Sequence, residues 1–72
     1  MTVLELCSLI KNPERQEVII HDYMSVNDEI IFKDSTYNAI LSDYANCEVF
    51  NFELIQYNYG PVLSIYAIQE VL

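Results

Sequence analysis

Acid–base chemistry near neutral pH is most often done by histidine, and this chain has one, His21, followed directly by Asp22. On a strand, neighbouring side chains point to opposite faces, so Asp22 cannot orient the imidazole as the second member of a pair. The two thiols, Cys7 and Cys47, lie in apolar-periodic segments with no adjacent cation to activate them. They read as small buried core residues. Asp28-Glu29 followed by Asp34 lacks the spacing of a calcium loop, and no second His or paired Cys completes a zinc set. Gly60 is the sole glycine and precedes Pro61, which leaves no Gly-rich phosphate cradle. The sequence therefore predicts a protein that is not an enzyme and carries no cofactor or metal.

Binding chemistry is better represented. Eleven acids face only Lys11, Arg15 and Lys33, for a formal charge of −8. That charge repels nucleic acid and anionic lipid and attracts a basic protein surface, of which nucleic-acid-binding proteins are the commonest. Asp22, Asp28, Glu29, Asp34 and Glu53 are candidate contact carboxylates. On a strand, residues two apart lie about 6.6 Å from each other, comparable to phosphates along one DNA strand. The plainer reading of the same acids is a solvated surface. Six tyrosines and no tryptophan supply amphipathic rings, and Tyr57 and Tyr59, beside a turn signal, are the candidate aromatic contacts.

These residues need elements to place them. Thr2-Val3-Leu4-Glu5 fits a capping box, and Val3, Leu6, Cys7 and Ile10 follow at helical spacing, which predicts a helix over Thr2 to Lys11. Glu17 to Tyr23 and Glu29 to Lys33 are β-branched and aromatic runs around Ser25-Val26-Asn27-Asp28, the pattern of a hairpin. Asp34 or Ser35 caps a second helix near Thr36 to Tyr44. Cys47 to Tyr57 alternates, with Phe50, Phe52 and Leu54 on one face and Val49, Asn51, Glu53 and Ile55 on the other. After the Asn58-Tyr59-Gly60-Pro61 turn, Val62 to Ile68 reads as a strand, although Pro61 and the final Gln69-Glu70 also permit a C-terminal helix.

The expected fold is α+β, a single small domain spanning residues 1–72 in the order α-β-β-α-β-β. A four-stranded antiparallel sheet carries two helices on one face, packed on the Phe50, Phe52, Leu54 row. The opposite face then shows Val49 and Ile55, the candidate self-association residues of a homodimer. Met1 to Ile10 holds no Lys or Arg and has Glu5 in its middle, unlike a secretion signal, and no apolar run approaches a membrane span. A cytoplasmic location is expected.

Glu17-Val-Ile-Ile-His-Asp-Tyr, Ile30-Ile-Phe-Lys-Asp-Ser-Thr-Tyr-Asn-Ala-Ile-Leu and Glu48-Val-Phe-Asn-Phe-Glu-Leu follow an amphipathic first helix in that order. This layout resembles small accessory proteins of phages and prophages of Gram-positive bacteria. The resemblance implies a phage-type binding protein acting in the host cytoplasm. It points to an inhibitor of a host nucleic-acid-targeting defence protein, of the anti-CRISPR kind, that occupies the basic surface of its protein partner. It supplies no motif from which a site residue could be carried over. Two alternatives stand beside it: a self-associating structural or regulatory module without inhibitory activity, and a small-ligand binder.

Overall fold

The computed structural model describes residues 1–69. Its elements run α1 (Val3–Cys7), β1 (Glu17–Asp22), β2 (Ile30–Ser35), α2 (Thr36–Ile40), β3 (Glu48–Tyr57) and β4 (Gly60–Ile68). The element order matches the expectation, and Gly60–Ile68 is a strand; residues 70–72, at the end of the helical alternative, lie outside the described residues.

Both helices begin where the caps place them and stop early. Thr2 Oγ1 accepts from the Glu5 amide at 3.2 Å while Glu5 Oε1 accepts from the Thr2 amide at 2.9 Å, closing the capping box. Ser35, not Asp34, caps α2 by accepting from the Asn38 amide at 3.2 Å. Beyond Cys7 the amides of Leu9 and Ile10 reach back three residues, to Leu6 and Cys7, which tightens the chain out of the α-helix. After Ile40, Ser42 bonds the Ala39 carbonyl through both its amide and its hydroxyl, with the same result.

The sheet order is β2-β1-β4-β3, and it is mixed. β1–β2 and β3–β4 are antiparallel hairpins, but β1 and β4 pair in parallel, from Glu17↔Val62 to Asp22↔Ala67. The expectation of a fully antiparallel sheet is corrected here. The segment containing α2 carries the chain from the end of β2 back to the end where β2 began, so β3 runs parallel to β2 and the inner strands of the two hairpins share a direction.

The core joins Val3, Leu6 and Cys7 of α1, Ala39 of α2, Val18 and Ile20 of β1, and Leu63, Ile65 and Ala67 of β4, with Cys47 beside them. Both cysteines are buried, as expected. Phe50, Phe52 and Leu54 are not part of it: they are 57%, 49% and 64% exposed. Phe52 and Leu54 do lie on the helix side, opposite Ile65 and Leu63. The helices do not reach them, because a five-residue helix extends about 8 Å whereas a ten-residue strand runs about 33 Å. The register shifts between Val49 and Asn51, leaving Phe50 as the extra residue of a bulge. Val49 therefore pairs with Ala67 and packs against the core. Its assignment to the open face is corrected as well. Ile55, opposite Val62, does lie on the helix-free face and is half-buried.

Candidate interaction surface

β1 and β2 meet in a loop that is ordered by its own polar groups. The Met24 amide donates to Asp22 Oδ1 at 3.0 Å, the Glu29 amide to Ser25 Oγ at 2.7 Å, and the Asp22 amide to the Glu29 carbonyl at 2.8 Å. Asp28 takes φ +49°, a left-handed conformation that Asp tolerates better than most residues. Its carbonyl accepts from His21 Nδ1 at 3.0 Å.

This loop leaves apolar side chains in water. Met24 is 70% exposed, Val26 98% and Ile30 53%. Tyr23, whose amide donates to the Ala67 carbonyl at 2.9 Å, stands at the end of the sheet beside the β3 bulge and stacks on Phe50 with ring centroids 3.9 Å apart. The bulge is what brings Phe50 there. One end of the sheet thus presents Tyr23, Phe50, Met24, Val26 and Ile30 together with the carboxylates Asp22, Asp28 and Glu29.

The bases lie elsewhere. Arg15 and Lys33 line an open cleft of about 510 Å³ with Glu14, Glu17, Asp34 and Ser35, at the end where β1 begins. A second hollow, lined by Lys11 and Arg15 among others, adjoins it. All three bases of the chain therefore surround these two hollows, leaving none beside the exposed loop.

Of the sequence-selected contacts, the structure gathers Asp22, Asp28 and Glu29 and separates the rest. Tyr57 and Tyr59 stack on each other, centroids 5.5 Å apart, at the β3–β4 turn. That turn lies about 23 Å down β4 from Ala67. Glu53 projects on the helix-free face opposite Ser64. Asp34 lies on β2, with its carboxyl held below the usual range by the Ser35 amide and then by the Asn38 side chain. Sequence reasoning missed Tyr23, Met24, Val26 and Phe50. The available signal was three large apolar residues in and beside a turn that has no element to bury them.

The helix-free face holds one further arrangement. His21 Nε2 lies 3.1 Å from Ser64 Oγ, and the imidazole stacks on Tyr66 at 4.6 Å. A carbonyl only accepts, so Nδ1 carries the proton toward Asp28, and in the neutral ring Nε2 accepts from the Ser64 hydroxyl. His21 thus makes two hydrogen bonds. Ser64 is only 2% exposed, so its hydroxyl is spent inside the protein and the pair fastens the loop to the sheet.

Among the described residues no group of three or more His, Cys, Asp or Glu side chains could hold a metal ion, and no helix is long and apolar enough to cross a membrane. No family model, curated protein sequence or solved structure matches the chain.

Proposed function

We propose that this protein is a binding protein that docks on a basic protein surface through the β1–β2 loop and the Tyr23–Phe50 stack. The observation that carries the reading is the exposed aromatic pair, rings 3.9 Å apart, set among Asp22, Asp28 and Glu29 with the bases at other places on the molecule. Stacked rings lose little entropy on binding and offer a large apolar area, while acids around them select a partner whose rim is basic. The partner class is a nucleic-acid-binding protein, and the consequence of docking is steric inhibition. A phage-encoded inhibitor of a host nucleic-acid-targeting defence, as the sequence layout implies, acts in this way.

The test compares the wild-type protein with Phe50→Ala and with Asp28→Lys/Glu29→Lys in affinity capture from host lysate at low and moderate salt. The expected result is a basic nucleic-acid-binding protein retained by the wild type, released as salt rises, and lost with either variant. Adding purified protein back to that partner should then displace its nucleic acid. A captured partner indifferent to both variants, or one that keeps its nucleic acid, overturns the reading.

A further inference from the structure

β3 is an edge strand whose outer rim is occupied at one end only. The Val49 amide donates to the Met1 carbonyl at 2.8 Å and the Val3 amide to the Cys47 carbonyl at 3.0 Å, so the N-terminal segment covers the rim from Cys47 to Val49. Past the bulge, the Phe52 amide is taken by Asn51 Oδ1 at 2.8 Å, away from β4. Alternation along an antiparallel ladder then points the backbone groups of Leu54 and Gln56 outward too, to the side of β3 where the sheet ends. Beside this free rim stand Phe52 and Leu54, 49% and 64% exposed on the helix side.

We infer that the occupant of this rim is a second copy of the chain, joined β3 to β3 in antiparallel pairing about a two-fold axis at Leu54, to give one continuous eight-stranded sheet. The choice of register is physical. A two-fold axis relating antiparallel edge strands is normal to the sheet, so it passes through a residue that opposes itself. At Phe52 the second copy would run onto the Met1–Val3 segment. At Glu53 it would set two carboxylates directly against each other, which is destabilising. At Leu54 the opposed pairs are Leu54 with Leu54, Glu53 with Ile55, Phe52 with Gln56 and Asn51 with Tyr57, and on pairing Asn51 Oδ1 gives up the Phe52 amide to the Gln56 carbonyl of the second copy. No like charges meet, and Phe52 reaches Leu54 of the second copy on the diagonal. Backbone pairing supplies the directionality and the Phe52–Leu54 cluster the apolar burial. The −8 charge of each copy opposes this at long range, so added salt favours the dimer. The inference stands apart from the partner reading above, since it uses neither the loop nor the Tyr23–Phe50 stack.

Sedimentation velocity over a concentration series at two salt levels tests it, with the full chain. A monomer–dimer equilibrium that tightens with salt is expected. Leu54→Pro removes an N–H that points away from β4, so the fold should survive and the dimer should not. Leu54→Lys, which keeps the N–H, should weaken the dimer about tenfold or more. Under mild oxidation or a short thiol cross-linker, Leu54→Cys should form covalent dimers. Phe50→Cys should not, because its two copies would lie about 26 Å apart in this register. Cys7 and Cys47 are buried, and burial pushes the Cys7 thiol up to about 11, so neither should contribute. A monomer at every concentration, a dimer unaffected by both Leu54→Pro and Leu54→Lys, or preferential cross-linking through Phe50→Cys would each overturn the inference.

Discussion

β3 and β4 are partners in one hairpin, yet they live in different solvents: β3 carries Glu48, Asn51, Glu53 and Gln56 among its apolar residues, whereas β4 has no charged residue. β4 lies between β1 and β3, and Val62, Leu63, Ser64, Ile65 and Ala67 are all buried. β3 lies at the edge, and Phe50, Phe52 and Leu54 are exposed. The difference comes from neighbours as well as from composition. A central strand has ladders on both sides and two short helices above it, while an edge strand is covered only where another element reaches. Here that is the start of β3, beside Met1 to Val3.

The largest expected effect tests this contrast directly. Ile65→Ala removes a fully buried side chain and should cost about 2–5 kcal/mol, a large share of the roughly 4–11 kcal/mol that a domain of this length holds. Phe52→Ala, directly across the ladder from Ile65, removes a larger group but leaves no closed cavity and should cost about 1 kcal/mol. Urea melts of the two variants and the parent decide it. If Phe52→Ala were as damaging as Ile65→Ala, β3 would be a core strand and the contrast would collapse.

That prediction reverses what the sequence alone implies, and the reason is instructive. Alternation correctly places Phe52 and Leu54 on one face, and that face is the helix side. It carries no information on how far the helices extend, nor on which strand is the edge. The bulge at Phe50 is also invisible to a period-2 count, and it moves Val49 into the core and Phe50 out toward Tyr23. Local signals fared better: the Thr2–Glu5 capping box and the Ser35 cap are where their chemistry puts them, and Gly60 takes φ +133°, although the turn is shorter than expected and Gly60 and Pro61 already pair with Tyr57 and Gln56 in β4. The parallel pairing of β1 with β4 depends on the direction in which the α2 segment returns, a long-range property that no window of residues encodes. The same limit applied to the candidate site. Asp22, Asp28 and Glu29 are close in sequence and were found together, while the Tyr23–Phe50 contact joins residues from different hairpins.

A smaller effect sharpens where the cover over β3 ends. Thr2→Ala breaks the cap of α1 and should cost about 1 kcal/mol. Because Met1 and Val3 flank this cap and bond to Val49 and Cys47, the loss should appear as faster amide exchange at Val49, with Ile65 on β4 protected as before. Equal acceleration at both sites would mean that the α1 end and the sheet centre open as one unit.

The smallest effect acts on the same cap through pH. The Glu5 carboxylate accepts from the Thr2 amide and neighbours the Thr2 hydroxyl, and these hydrogen bonds hold its pKa below the usual 4.5. A carboxyl whose pKa is lowered by folding contributes stability that is complete above the unfolded value and is lost as pH falls through the folded one. Acidification from just above pH 4.5 downward should therefore loosen the α1 cap, and Val49 exchange corrected for intrinsic rates should rise in that window. Asp34 is lowered from 3.8 by a separate set of partners on β2, and it titrates with the same sign, so a global melt cannot separate the two. Glu5→Gln can, because the amide still accepts from Thr2 but does not titrate. In that variant the acid-induced opening at Val49 should disappear, while any acid loss at the β2–α2 junction persists. If Val49 opened on acidification just as readily in Glu5→Gln, the cap would not be the group that secures the covered end of β3.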